Sequence, residues 1–341
     1  MSKKVAVLGT GANGSSISAD LISAGHDITM IDQWPDHVEA MRTDGLRIQM
    51  PERELHVQVN AFHLCDVATF TNKFDIVFVV VKAYDTRWIS ELIAPHVADN
   101  GLVIGLQNGM TVDDIKAAVG PSRTIGCVVE LSSELFEPGQ VKRNTPPDHT
   151  WFGLGSLDAS TAGRESEVEP ILRAAGHVAI QPNIVSAKWM KLIVNAMTMG
   201  PRALTGLNAG DAMKIPGMRE IALKAGEEAL AAGQLQGFTI EPIFGLTRED
   251  VDGTNRLLEL LLDKIVKDVG PTARDAVLHD HIKGRYSEVD EINGRVASIC
   301  AKNGRPAPVN TAIVEITSQI FKGEIEAVPA NLERVRKLSG S

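Results

Sequence analysis

Two hydrophobic periods divide this chain. Up to about residue 183, short apolar runs alternate with turn residues. Val5-Ala6-Val7-Leu8 predicts a strand, residues 15–24 carry helical spacing that Gly25 stops, and residues 27–31 predict a second strand ending in Asp32. A short helix is expected over 35–43 and alternating strands over 46–50 and 56–59. The run Asp75-Ile76-Val77-Phe78-Val79-Val80-Val81 is continuous and rich in β-branched residues, the pattern of a parallel strand buried on both faces. A helix over 86–97 and a strand over 102–106 follow. Strands over 124–129, 141–143 and 151–154 are expected to pair antiparallel, and a helix over 165–175 with a strand over 178–180 closes the first half. From Pro182 the spacing is helical: 185–199, 218–232, 248–267, 273–283, 289–302 and 310–321. Thr247 is a plausible cap for the third of these, and Gly304, Pro306 and Pro308 separate the last two. The pattern predicts an α/β domain over residues 1–183 with a doubly wound, mostly parallel sheet, and an all-α domain over 184–341.

The first chemistry lies between the first strand and the first helix, in Gly9-Thr10-Gly11-Ala12-Asn13-Gly14. This is G-x-G-x-x-G in the context of a Rossmann fold, where one glycine makes the tight turn, a second lets the backbone approach a pyrophosphate, and a third lets helix and strand pack closely. The anion then sits on the helix N-terminus. Asp32 stands eighteen positions beyond Gly14, near the ~20 expected of an acid that binds the adenosine ribose. A carboxylate there accepts from both ribose hydroxyls and repels a 2′-phosphate, so NAD is expected before NADP. Gln33 and Trp34 follow with no Arg or Lys, although His37 and Arg42 lie within loop reach. Lys82 and Asn108 end two further strands, which puts them on the same rim as the glycine turn.

Composition narrows the class. The chain has 341 residues, 44% of them hydrophobic, so a globular protein of two domains is expected. A net charge of −9 without a basic run argues against a nucleic-acid surface. Cys65, Cys127 and Cys300 are few, odd in number and far apart, as in a reducing compartment. The start carries no long apolar segment and no stretch reaches membrane-spanning length, so a cytoplasmic protein with no membrane partner is expected; no metal is expected either.

In the helical half, Ser186-Ala187-Lys188-Trp189-Met190-Lys191-Leu192-Ile193-Val194-Asn195-Ala196-Met197 is apolar nearly all round, as a buried helix is. Lys191 and Asn195, four apart, share one face. A lysine in such a place either runs its stem out to water or has a task, and proton transfer is one such task.

These motifs together resemble the ketopantoate reductases (2-dehydropantoate 2-reductases). The resemblance runs from the glycine turn through Val81-Lys82-Ala83, Gln107-Asn108-Gly109-Met110 and Lys191-Leu192-Ile193-Val194-Asn195 to Ser287-Glu288-Val289-Asp290-Glu291-Ile292-Asn293-Gly294 and Asn303-Gly304-Arg305-Pro306-Ala307-Pro308-Val309-Asn310. It implies hydride transfer between a nicotinamide and the C2 carbonyl of a 2-oxo acid, or the reverse from a hydroxy acid or secondary alcohol, in a cleft between the two domains. It also implies Lys191 as the catalytic lysine, Asn195 in the substrate site, Glu288 as the acid on the nicotinamide ribose, and Lys82 and Asn108 on the cofactor side. Lys188 lies one turn away without the matching context. Some positions depart from the family pattern. Met199 replaces a common asparagine, Gly200-Pro201-Arg202 stands where Pro-Leu-Thr is usual, and Ala273 and Ala276 stand near positions that tend to carry an asparagine and a serine. A site stripped of these hydrogen-bonding groups suits a substrate other than ketopantoate, with Arg202 as a carboxylate clamp or as a solvated arginine. A true ketopantoate reductase and a dinucleotide-sensing protein without chemistry are the alternatives; keeping Lys191, Asn195 and Glu288 together argues against the sensor. Leu257, Leu258, Leu260, Leu261 and Leu262 exceed what one helix normally hides, which suggests a homodimer.

Overall fold

The computed structural model describes residues 3–340; Met1 and Ser2, part of the start searched for a targeting segment, and Ser341 lie outside the described residues. The chain divides into two compact units, residues 1–185 and 186–341. The first unit contains, in order, β1 (Lys4–Leu8), α1 (Ala12–Ser23), β2 (Asp27–Asp32), α2 (Pro35–Asp44), β3 (Leu46–Gln49), β4 (Glu54–Val57), β5 (Asn60–His63), β6 (Phe74–Val79) and α3 (Thr86–Ile93). It continues with β7 (Val97–Gly105), α4 (Val112–Val119), β8 (Thr124–Glu130), β9 (Ser133–Glu137), β10 (Gln140–Arg143), β11 (Trp151–Ser156), α5 (Glu169–Leu172) and β12 (His177–Ile180).

Eight strands form one sheet in the order β12-β11-β8-β7-β6-β1-β2-β5, parallel throughout except where β11 runs against β8. The six strands from the β5 edge, β5-β2-β1-β6-β7-β8, read 3-2-1-4-5-6 in chain order, the doubly wound arrangement whose order reverses at β1. Alternate side chains of the middle strands feed separate cores on the two faces. Val5, Val7, Ile76, Phe78 and Ile104 pack with Ile17 and Leu21 of α1, whereas Ala6, Leu8, Val77, Val79 and Val103 pack with Ile89 and Ile93 of α3 and Ile115 of α4. Burial on both faces explains the unbroken apolar run of β6. A second sheet, β4-β3-β10-β9, is not hydrogen-bonded to this one, but its Leu46, Ile48, Leu135 and Val141 share the core of Ile17 and Leu21 of α1.

The sequence-based elements differ from these in several places. The helix of the glycine turn begins at Ala12, not residue 15, because Ala12, Asn13 and Gly14 are its first turn. The strand expected over 56–59 is the end of β4 and the break before β5; β5, α4 and β9 were not anticipated. β8 and β10 each have one antiparallel neighbour and one parallel one. Residues 165–175 hold a 3-10 turn (Arg164–Glu167) and the four-residue α5 instead of one helix.

The second unit holds α6 (Ile184–Ala203, whose first residues belong to the first unit), α7 (Ala209–Met213), α8 (Met218–Leu235), α9 (Arg248–Asp252), α10 (Leu257–Val269), α11 (Ala276–Ile282), α12 (Arg295–Lys302), α13 (Pro308–Phe321) and α14 (Asn331–Ser339). A π-helical turn, Asp290–Gly294, leads into α12. The helix expected over 248–267 is broken: Thr247 does cap α9 in a capping box with Asp250, but Gly253-Thr254-Asn255 then turns the chain, with Thr254 Oγ1 accepting from Arg256 N at 3.0 Å. Leu257, Leu258, Leu261 and Leu262 are buried by this chain's own packing, and Leu260 is half-buried. Among the described residues no helix is long and apolar enough to cross a membrane, and no cluster of His, Cys, Asp and Glu is placed to hold a metal.

One buried ion pair ties the first unit together. Arg143 at the end of β10 is 1% exposed; its Nη1 pairs with Asp20 on α1, Nε donates to Thr145 O at 2.7 Å, and Nη2 donates to Thr150 Oγ1 at 2.9 Å and Ala175 O at 3.1 Å. Removing one partner strands a buried charge. Arg143→Met is therefore expected to lower stability by about 3–5 kcal/mol in urea unfolding, and Asp20→Leu with Arg143→Met to recover most of that loss, because no unpaired charge remains.

Candidate active site

The strand ends of the first unit meet in register. Leu8 lies opposite Ile31 and Val79, and Val79 opposite Gly105. Gly9 N donates to Ile31 O, Val80 N to Leu8 O and Leu106 N to Val79 O, at 2.8, 2.8 and 2.9 Å. The glycine turn, Asp32, Lys82 and Asn108 therefore lie along one carboxyl rim of the sheet, at the point where strand order reverses.

The three glycines of the turn do different work. Gly9 sits at φ +85°, and a Cβ on it would lie 2.6 Å from Val81 Cγ1. A Cβ on Gly14 would lie 2.2 Å from Gly9 O, so this glycine lets α1 pack on the β1 end. Gly11 is unlike both: its φ is −62° and a Cβ there would meet nothing within 4 Å. Neither conformation nor packing requires glycine at 11. Its open space, next to the uncapped first turn of α1, fits a phosphate group approaching the backbone. Ala12 and Asn13 are in that first turn, and Asn13 Oδ1 accepts from Ser133 Oγ of β9 at 2.7 Å.

Asp32 closes β2 at 8% exposure, with Oδ1 accepting from Trp34 N at 2.8 Å and Oδ2 3.4 Å from Thr10 Oγ1. The two basic groups within loop reach are committed elsewhere. His37 is fully buried: its Nδ1 accepts from Gly139 N at 2.9 Å, which leaves Nε2 to donate to Thr10 O at 2.8 Å. Arg42 donates to Ala61 O at 2.8 Å and pairs with Glu39 and Asp66, each at 2.9 Å.

Lys82, half-buried, leads into a 3-10 turn after β6. Gln107, whose role no local sequence pattern marks, fastens that segment: Nε2 donates to Val81 O at 2.7 Å and to Thr86 Oγ1 at 2.8 Å. Asn108, half-buried, follows it, and Gly109 turns the chain at φ +74°.

In the helical unit, α6 is as buried as its composition suggested. The small-residue face of α8 lets it close in, and Trp189 Nε1 donates to Ala229 O at 3.0 Å beside Gly233. Lys191 is half-buried and Asn195 is 3% exposed, one turn apart. Continuing along the same face, eleven residues at about 100° each bring Arg202 to within about 20° of Lys191's direction. Arg202 is not a solvated arginine. It is 1% exposed, with Nε donating to Thr198 O at 3.2 Å and Nη2 paired with Asp275 Oδ1 at 2.6 Å; Nη1 has no partner among the described residues. Asp275 is the residue before α11, so Arg202 and Ala276 are brought together, while Met199 is buried at 7%.

Glu288, 4% exposed, lies two residues before the π-helical turn. Two asparagines hold that turn on α6. Asn293 Nδ2 donates to Ala196 O at 3.2 Å and to Asn310 Oδ1 at 2.8 Å, and Asn310 Nδ2 donates to Ala225 O at 3.0 Å and Glu228 Oε2 at 2.7 Å. Glu228 also accepts from Val309 N and Asn310 N, both at 2.9 Å, and so caps α13. Polar residues inside apolar helical windows were the sequence signal for this network.

Residues 5–156 match the family profile described as ketopantoate reductase PanE/ApbA, and residues 183–321 match its C-terminal counterpart. The chain belongs to the ketopantoate reductase family. Among curated ketopantoate reductases, the 2-dehydropantoate 2-reductase of Archaeoglobus fulgidus is 25% identical over 323 residues, covering 94% of this chain and 99% of that one. A PanE/ApbA family ketopantoate reductase from Ralstonia eutropha JMP134 superposes with a TM-score of 0.78 at 25% identity, over 94% of this chain and 99% of its own. D-mandelate dehydrogenase, solved with NADH and anilino(oxo)acetate, shares the fold with a TM-score of 0.83 at 19% identity, over 94% and 98% of the two chains. As a ketopantoate reductase family member, the protein is an oxidoreductase that acts on CH–OH groups with a nicotinamide dinucleotide.

The glycine geometry separates packing from binding. Gly14→Ala is expected to prevent stable folding of the first unit. Gly11→Ala should keep its stability within about 1 kcal/mol yet weaken NADH binding at least tenfold by fluorescence titration, since the new methyl enters only the space left to the ligand.

Proposed function

We propose that this protein is an NAD-preferring oxidoreductase of a 2-oxo acid or ketone, or of the corresponding hydroxy acid or secondary alcohol, with Lys191 as the general acid and base. The observation that carries the NAD preference is Asp32. Its carboxylate is fixed at the rim by Trp34 N, while His37 and Arg42, the cations that would welcome a 2′-phosphate, are engaged elsewhere. A ribose with two free hydroxyls satisfies that carboxylate, and a phosphate beside it adds like charge without a counter-ion.

The chemistry such a dinucleotide supplies when bound is a hydride for the substrate carbonyl carbon. The carbonyl oxygen then carries developing alkoxide charge, which Lys191 neutralises by donating a proton and Asn195 holds with a hydrogen bond from its amide. In the oxidising direction, Lys191 takes the hydroxyl proton instead. Glu288 accepts from a ribose hydroxyl, and Lys82 and Asn108 line the dinucleotide side.

The substrate is argued from what the helical unit lacks. Met199, Ala273 and Ala276 offer no side-chain hydrogen bond, and Arg202 is held by Asp275. A wall of this kind leaves a substrate hydroxyl unpaired, which disfavours ketopantoate against more apolar 2-oxo acids. Ketopantoate itself is the second reading, favoured by the activity for which the curated relatives are named.

The test is oxidation of NADH and NADPH, followed by absorbance, with ketopantoate and a panel of 2-oxo acids, and then NAD reduction with the matching alcohols. Ketopantoate turning over at ordinary catalytic rates, above every other acid, would restore the second reading. Lys191→Met is expected to lower kcat by about 10²–10⁴ while leaving NADH affinity unchanged. Asp32→Ala is expected to weaken NAD about ten- to a hundredfold and to erase discrimination against NADP; equal wild-type affinities for the two dinucleotides would overturn the assignment.

A further inference from the structure

Between α8 and α9 the chain makes a loop whose backbone conformation is out of keeping with its sequence. Phe244 has φ +59°, the one non-glycine residue in the left-handed region among the described residues. Bulky side chains rarely adopt that conformation, because Cβ crowds the backbone carbonyl. Gly245 next to it is also left-handed, at φ +76°, so the turn bends inward and carries the Phe244 ring to 5% exposure. The loop is anchored on both sides of the strained residue. Thr239 N donates to Ser186 Oγ near the start of α6 at 3.1 Å, and Glu241 pairs with Arg248 of α9 at 2.6 Å. A conformation this disfavoured persists only where its surroundings impose it, and such outliers gather at functional sites.

The ring meets Lys191. Its ammonium nitrogen lies 4.8 Å from the Phe244 centroid, within the range of a cation–π contact. We propose that Phe244 is a positioning residue for Lys191: the strained loop holds an aromatic face against the ammonium and fixes the end of a flexible four-carbon side chain. This rests on the reading of Lys191 as the proton donor. The choice of a ring has a chemical reason. A carboxylate in that place would accept a proton-bearing N–H and compete with the substrate oxygen for it. An aromatic face attracts the charge through its quadrupole and leaves the N–H directions to other acceptors.

Trace labelling of the half-buried Lys191 with acetic anhydride, read by mass spectrometry, tests the contact without any substrate. In Phe244→Leu, which keeps apolar bulk and removes the ring, Lys191 is expected to acylate about three- to tenfold faster, with the exposed Lys214 unchanged as an internal reference. Phe244→Tyr, which keeps the ring, should label at the wild-type rate; if the leucine variant does not fold, Phe244→Met takes its place. Equal Lys191 labelling in the wild type and the folded ring-less variant would overturn the proposal. With ketopantoate or phenylglyoxylate, whichever the wild type reduces, the ring-less variant is expected to lose about tenfold in kcat with KM for NADH unchanged, and Phe244→Tyr to restore kcat. A kcat within twofold of wild type in the ring-less variant would likewise overturn it, whereas turnover surviving Lys191→Met would remove the proton-donor reading and leave labelling to decide the Phe244 contact.

Discussion

The helical unit depends on the burial of α6. Nearly every residue of this helix between Ser186 and Ala203 is out of water, and a polar group in such a place must find a partner inside the protein or destabilise the fold. That constraint orders the unit around it. Trp189 reaches a carbonyl of α8, Arg202 is met by Asp275, and Ala196 lends its carbonyl to Asn293. Asn293 is then tied to Asn310, and Asn310 to Glu228, so the segment bearing Glu288 and the start of α13 are both referenced to α6. Lys191 and Asn195 thus stand on the most firmly held element of the unit. For the proton-donor role proposed for Lys191 that rigidity matters, because misplacement by about 1 Å lowers rates steeply.

In the first unit the equivalent constraint is strand register. A one-residue slip of β2 or β6 against β1 would turn its buried side chains toward the wrong core and move Asp32 or Lys82 off the level of the glycine turn. The two cores exclude this by filling opposite faces with alternate residues of the same strands. The dinucleotide-facing geometry is therefore a by-product of core packing, and only Gly11 stands free of it.

Legibility in the sequence followed the same division. β1, β2, β6 and the burial of α6 were readable because long apolar runs have one reading, and the rim position of Lys82 and Asn108 followed from where those runs end. The edge strand β5 was not: Asn60-Ala61-Phe62-His63 pairs only with β2 among the described residues and needs no apolar pattern of its own, so it left no signal. The break after α9 was hidden by the strength of the leucine run beyond it, although Gly253-Thr254-Asn255 stated it. Pairing was the least legible feature. That Arg202 is buried against Asp275, or that His37 is locked by Gly139 N, depends on residues 73 and 102 positions away, which no local pattern records.

Residues 199–202 at the end of α6 are fixed by packing and pairing inside the helical unit. Gly200 is required by close approach, since a Cβ there would lie 2.6 Å from Ile313 Cγ2 on α13 and 2.7 Å from Asn293 Oδ1. Pro201 gives up a backbone donor inside the helix, one residue before Arg202 turns its guanidinium onto Thr198 O and Asp275. An arginine at 202 without the acid at 275 would lose the carboxylate that meets its buried guanidinium. Arg202 and Asp275 therefore neutralise each other within the helical unit, and Met199 and Gly200 beside them are fixed by packing.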